Sequence, residues 1–419
     1  MAVERIRVGV VGVSRGQSFI HGAAPAGMEL VAICDTWEDK LKEVASKLGV
    51  AAYTSFDEFL GHEMDAVVLA NYFHEHAPLA IKALRAGLHV MSECASCGTL
   101  AEGVALVRAV EESGRVYMLA ENYPYFAYNQ EMRRLYREGR VGKFLYGECE
   151  YVHPDPAEVR LARSVGWNHW RNWIPATYYC THSIGAVMYI TDTRPVRVNA
   201  FVMPYDKDDP TLTMTAARHD TAAVLMLQMD SGAFLKSLHG ALRGHQNYTR
   251  IHGNKGLMEN ARTGNTNMLR VRREVFDKDD GEPVDTLYLP DFPEHHAEAM
   301  RAGHAGGDFF TNYHFADAIR TGRQPYLDVY RGVQMSIVGI QGWRSALAGG
   351  APLEVPDFRN EEARASYEND DWTPDPAAKC ENKPHSSLLG HIELSDRAKA
   401  FAREVWARQG WCELEPDEA

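Results

Sequence analysis

Two groups of residues in this 419-residue chain have the types and spacing to do chemistry. The first is Gly12-Val13-Ser14-Arg15-Gly16, a turn of small residues directly after the apolar run Ile6 to Val11. Small side chains let backbone N–H groups approach a pyrophosphate at a helix N-terminus, so the turn suits a dinucleotide. A second apolar run, Glu29 to Cys34, ends at Asp35, whose carboxylate can accept both hydroxyls of an adenosine ribose and would repel a 2′-phosphate. That favours NAD over NADP. Ser14 stands where a second glycine is usual and Gly16 comes early for the third, so the turn alone also fits another doubly wound fold. Asp35 at the strand end weighs against that alternative.

The second group is Tyr179-Cys180-Thr181-His182, with Tyr151-Val152-His153 and Trp170-Arg171 upstream. Histidine titrates near neutrality and can take or give a proton. A tyrosine three residues earlier on the same turn can share that proton if a neighbouring cation lowers its pKa. A histidine at a helix start also serves as a cap or a core residue, and a tyrosine on an alternating strand also packs. The pair Cys94 and Cys97 has C-x-x-C spacing but no second ligand pair, so structural thiols and no metal are expected. His295-His296 reads as solvated loop.

The elements that must position these residues alternate through the first 122 residues. Helix patterns over 37–48, 56–60, 77–86 and 100–113 separate short apolar strands at 66–70, 89–91 and 116–120. That alternation predicts a doubly wound parallel sheet of Rossmann type, which binds ligands beyond its C-terminal strand ends. Asn71 to His76, Ser92 to Ala95 and Glu121 to Tyr123 fall there. From about residue 143 long alternating runs, at 147–152, 196–203, 221–229, 233–239 and 249–252, predict an open, mostly antiparallel sheet in an α+β domain. Helices are expected over 181–189, 309–321 and 329–347. The expected division is a nucleotide domain over 1–122, a substrate and oligomerisation domain over 123–355, and a polar extension over 356–419 with a helix over 396–409.

The segment Ala86-Gly87-Leu88-His89-Val90-Met91-Ser92-Glu93 between such domains resembles the Gfo/Idh/MocA oxidoreductases, in which a Lys-Pro pair usually follows the glutamate. Cys94 and Ala95 stand there instead. The NAD-dependent glycoside hydrolases typified by α-N-acetylgalactosaminidase also lack that lysine. The chain is similar to them at Glu121-Asn122-Tyr123-Pro124-Tyr125, Tyr151-Val152-His153, Trp170-Arg171 and Tyr179-Cys180-Thr181-His182-Ser183-Ile184-Gly185. Cys180 stands where proline is usual, and the stretch from Tyr151 to Tyr179 is short. The later Gly303-His304-Ala305-Gly306-Gly307-Asp308 resembles a loop that closes the substrate pocket.

The resemblance implies a glycosidase that borrows a hydride from sugar carbon 3, eliminates the aglycone, adds water and returns the hydride. Such a cycle needs proton carriers and no nucleophilic carboxylate pair. It implies His182, Tyr179 and Tyr151 as catalytic groups, and Glu121, Arg171, His153, His304 and Asp308 around the substrate. It implies Gly12, Ser14, Arg15, Gly16, Asp35, Asn71, His76, Glu93 and Asn122 around NAD. Tyr123 and Tyr125 are expected at the domain hinge. The alternatives are an NAD-dependent sugar or polyol dehydrogenase, against which the missing lysine counts, and a non-catalytic sensor of NAD or sugar.

Composition bounds the partners. Forty-four basic against 57 acidic residues give a net charge of −13, which opposes nucleic acid and anionic membranes. A core strand begins within about five residues of Met1, leaving no room for a signal peptide. Seven scattered cysteines suit free thiols. A cytoplasmic homodimer or homotetramer acting on a small carbohydrate or glycoside is the expectation.

Overall fold

β1 (Ile6–Val11) is apolar along its length and lies between β2 (Met28–Cys34) and β4 (Ala66–Leu69), paired in parallel with both. With β3 (Ala51–Tyr53), β5 (His89–Ser92) and β6 (Tyr117–Leu119) they form a six-stranded sheet in the order β3-β2-β1-β4-β5-β6. Burial on both faces by helices explains the continuous apolar runs. The chain reverses direction across the sheet between β1 and β4, and a crevice opens beyond their C-terminal ends. Gly12 sits there at φ +92°, and a Cβ on it would lie 2.5 Å from the Ala70 carbonyl oxygen. Only glycine allows that approach.

The computed structural model describes residues 5–412; Met1, on which the signal-peptide expectation rests, lies outside them, as does the end of the polar extension. Among the described residues no helix is long and apolar enough to cross a membrane.

The second sheet has nine strands. These are β7 (Phe144–Val152), β8 (Pro195–Met203), β9 (Ala222–Met229), β10 (Phe234–Gly240), β11 (Gln246–Gly253), β12 (Gly256–Asn260), β13 (Leu269–Arg273), β14 (Asp285–Tyr288) and β15 (Leu353–Glu354). Their order is β14-β13-β12-β11-β7-β10-β9-β8-β15, antiparallel throughout except where β7 meets β10. Along β9 buried and half-buried residues alternate, which leaves one face for the core. Helices Thr181–Thr191 and Val329–Leu347 pack on that face. The second is pressed so close that a Cβ on Gly339 would meet the Tyr178 backbone at 2.7 Å. Leu119 of β6 donates to the Leu327 carbonyl, so the two domains share backbone pairing.

After β15 the chain returns to the first domain. Arg108 pairs with Glu361 and Glu368 and Arg364 with Glu111, while Arg344 of helix Val329–Leu347 holds Asp370 against the second domain. Helix Asp396–Ala407 then packs beside helix Ala157–Arg163; buried Trp406 donates to the Leu161 carbonyl and meets the Trp167 ring at 4.7 Å. Trp411 finally meets Trp37, its ring centroid 5.1 Å away and its plane at 80°. His295, expected in solvated loop, instead lies 4.3 Å from the Tyr313 ring and precedes a short helix at His296–Ala299; aromatic packing ties that stretch down.

Candidate active site

The cofactor crevice is built from the first turn. Asp35 accepts the Val13 N–H at 2.7 Å and the Trp37 N–H at 2.8 Å, which fixes its carboxylate beside the glycine turn. Burial pushes the Asp35 carboxyl up, partly offset by those amides. Across the crevice, Asn71 Oδ1 and His76 Nε2 are buried without a hydrogen-bond partner, while His76 Nδ1 is tied to the Ala95 carbonyl. Orphaned polar atoms are costly in a finished core and expected where a ligand completes the bonding. No basic side chain follows Asp35 to balance a 2′-phosphate, since Thr36 and Trp37 come next. These residues fit NAD.

Arg15 is spent differently. Its guanidinium pairs with Glu93 at 2.7 Å and with Asp308 at 3.3 Å. Asp308 also accepts from Asn122 and binds His304 Nδ1, both at 2.8 Å. Burial would raise its carboxyl, but His304 and Arg15 hold it far below the ordinary value. So Arg15, Glu93 and Asn122, expected beside NAD, and His304 and Asp308, expected beside substrate, form one cluster. It fastens the loop 303–308 to the glycine turn. Asp308 is 4 % exposed, and its oxygens are taken by protein.

Glu121 follows β6 and is fully buried. Both its oxygens lie against His182 Nδ1, at 2.7 and 2.8 Å. It also accepts from the Cys94 thiol at 3.1 Å and the Tyr123 N–H at 3.2 Å. Burial alone would raise the Glu121 carboxyl; the charge of His182 and these hydrogen bonds hold it below the ordinary carboxylate value. A carboxylate only accepts, so Nδ1 carries the proton and Nε2 is left as the basic nitrogen. Glu121 was expected to clamp substrate; enclosed under His182, it has no surface to offer one.

Three phenol rings surround that imidazole: Tyr123 at 4.7 Å, Tyr179 at 4.7 Å and Tyr151 at 4.8 Å. Burial pushes the Tyr179 hydroxyl up, and the charge and hydrogen bond of Arg171 pull it partly back. Burial likewise raises Tyr151, with Arg171 opposing. Arg171 rests on the Trp170 ring at 4.2 Å. His153, at the end of β7, lies 5.7 Å from Tyr151. The fold therefore brings Glu121, Tyr151, Arg171, Tyr179 and His182 together.

Tyr123 and Cys94 were expected at the ligand-binding strand ends but with no part in the surroundings of His182. Tyr123 is part of the ring wall around His182, and its neighbour Tyr125 alone packs deep in the core. Cys94 takes the lysine's place and donates to Glu121. Cys94, Glu121 and His182 offer ligand atoms within 4.8 Å of one another. Burial and the charges of Glu121 and Glu93 push the Cys94 thiol well up, in keeping with its donating to Glu121.

A glycine-turn crevice at the sheet's switch point, beside an imidazole held on an open-sheet domain, defines a two-domain NAD-binding protein of the Rossmann class. Residues 6–121 match the oxidoreductase family with an NAD-binding Rossmann fold, and residues 180–364 match the C-terminal domain of glycosyl hydrolase 109. The chain is thus an NAD-binding enzyme, similar to the Gfo/Idh/MocA oxidoreductases over its first part and to glycosyl hydrolase 109 over its second. It is 25 % identical over 394 residues to a glycosyl hydrolase family 109 protein of Saccharopolyspora erythraea, covering 85 % of this chain and 84 % of that one. It is 25 % identical over 413 residues to an alpha-N-acetylgalactosaminidase of Tannerella forsythia, covering 84 % and 86 %. Among solved structures it resembles a levoglucosan dehydrogenase in complex with NADH and L-sorbose. The TM-score is 0.72 at 19 % identity, covering 85 % of this chain and all of that one.

Proposed function

We propose that this enzyme cleaves a glycosidic bond with NAD as a resident catalyst and no net oxidation. The observation that carries the reading is the Glu121–His182 pair, set among three phenols with a thiol in the dehydrogenase lysine's place. When bound, NAD supplies a two-electron acceptor that takes hydride from sugar carbon 3 and gives it back.

The chain's own residues move the protons. His182 Nε2 takes the proton of the 3-hydroxyl and later returns it, while Glu121 stabilises the imidazolium formed in between. The carbon 2 proton, acidified by the neighbouring ketone, goes to Tyr179, whose phenolate Arg171 supports. Tyr151 protonates the leaving oxygen and, in reverse, activates the incoming water. Burial keeps Tyr151 protonated at rest, as an acid requires; Tyr179, whose phenolate the Arg171 charge favours, releases its own proton to solvent before it takes the one from carbon 2.

A sugar dehydrogenase is the second reading, because a carboxylate-oriented histidine beside NAD would serve simple oxidation as well. Purified protein incubated with nitrophenyl glycosides separates the two. Phenolate release with no net gain in NADH absorbance is expected; stoichiometric NADH without phenolate would overturn the glycosidase.

A further inference from the structure

Tyr151 has a neighbour in register on each side, and the two differ. On β10 it is His239, 1 % exposed, on a strand against which the turn Tyr178–Cys180 and helix Thr181–Thr191 both pack. That flank of the phenol is closed. On β11 it is Asn247, paired antiparallel, and directly opposed residues of such a pair point to the same face with Cβ atoms about 4.5–5.5 Å apart. Tyr151 points to the face where His182 lies, so Asn247 stands beside it on the site side. Thr249 and Ile251, in phase with Asn247 along β11, are buried on the face against which helix Thr181–Thr191 packs. Asn247, nearer the start of the strand, is only half-buried.

The backbone of Asn247 is fixed from two sides. β7 pairs it with Tyr151, and buried Asn260 donates to its carbonyl at 3.0 Å while accepting the Thr249 N–H at 2.7 Å. No hydrogen bond reaches its carboxamide among the described residues, and Oδ1 is buried in that state. An amide left unbonded there is a loss to the fold that a ligand would recover.

The side of Tyr151 toward β11 is also polar and open. His153, just past the end of β7, lies 5.7 Å from the Tyr151 ring and meets His245, two residues before Asn247, at 4.9 Å. His245 is exposed. In the proposed chemistry Tyr179 serves carbon 2 from the closed flank, and Tyr151 serves the leaving oxygen on carbon 1. What lies past Tyr151, over β11, is the aglycone. A carboxamide both donates and accepts, which matches a sugar hydroxyl and gives an apolar ring nothing to bond.

We propose that the aglycone is itself a sugar, and that Asn247 holds one of its hydroxyls beside Tyr151. This rests on the reading of the site as a sugar site with Tyr151 at the leaving oxygen; recognition of the second sugar does not require that the bond be cleaved.

Calorimetric titration of the protein loaded with NADH, which cannot accept hydride, measures binding without turnover. The probes are maltose, cellobiose, melibiose, lactose and N,N′-diacetylchitobiose, each against the methyl glycoside of its non-reducing sugar in the same anomeric form. At least one disaccharide should bind about five-fold or more tightly than its methyl glycoside, the gain expected of one or two hydrogen bonds. Asn247→Ala should bring that ratio to within about two-fold of one, while Asn247→Asp, which keeps the acceptor, retains part of it. Because the side chain bonds nothing in the fold, Asn247→Ala should also hold or raise Tm, which loss of a structural asparagine would not do. A variant that unfolds, or that loses more than about 2 °C, assigns the carboxamide to the fold and overturns the proposal. So does a preference that survives Asn247→Ala, or the failure of every disaccharide to outbind its methyl glycoside. Failure of the glycosidase reading looks different: an Asn247-dependent preference for a disaccharide would stand with no phenolate released from any nitrophenyl glycoside.

Discussion

The chemistry of His182 is set by a residue 61 positions away. Glu121 fixes the tautomer, so Glu121→Gln, which keeps the shape and removes the charge, should cut kcat by on the order of 10²–10⁴ with little change in KM. Steady-state kinetics with the folded, NAD-loaded variant checks this, and a KM-only effect would return Glu121 to the role of substrate clamp. Cys94→Ala removes one hydrogen bond from a weak thiol donor to the Glu121 carboxylate and should cost no more than about ten-fold. His182, Tyr179, Tyr151 and Arg171 were legible as a set because their motifs recur in a related enzyme branch. Tyr123 and Cys94 were not, since nothing in their local spacing says that a hinge tyrosine and a lone thiol meet the same imidazole.

At the scale of elements, the loop 303–308 and the glycine turn are joined by charge. Asp308 is held below the ordinary carboxylate pKa, so the folded protein binds fewer protons than the unfolded chain in acid. Its contribution is therefore present above about pH 4 and lost as pH falls below that. Asp308→Asn should lower Tm at pH 7 by about 4–8 °C, the effect of losing about 2 kcal/mol of charge-assisted bonding. That gap should narrow below about pH 4; calorimetry showing a constant gap would remove the carboxylate from the account. The alternating β/α half was legible because buried parallel strands are plainly apolar. β12, β13 and β14 were not read. β13 is Leu-Arg-Val-Arg-Arg, and its arginines answer Glu259 on β12 and Asp285 on β14, so polar pairing hides the strand period. Helix Ala127–Arg137 escaped for the same reason, with four arginine or glutamate side chains among its eleven residues.

Across the whole molecule, the polar extension, expected only as a tail with a helix near its end, turns out to tie the domains together. Helix Asp396–Ala407 is anchored on the second domain, and Trp411 reaches the first at Trp37, two residues past Asp35. An edge-to-face pair of this kind contributes about 0.5–1.5 kcal/mol beyond its buried area. Trp411→Ala should therefore speed release of bound NAD by about 2–10-fold, read by dilution and fluorescence of the freed nucleotide. An unchanged release rate would confine Trp411 to packing. The same contact orders events during synthesis. The six-stranded sheet leaves the ribosome about 290 residues before Trp411 does, a delay of roughly 15–60 s at about 5–20 residues per second. Nucleotide can enter an open crevice during that interval, and the arrival of Trp411 then makes its departure slower than its entry.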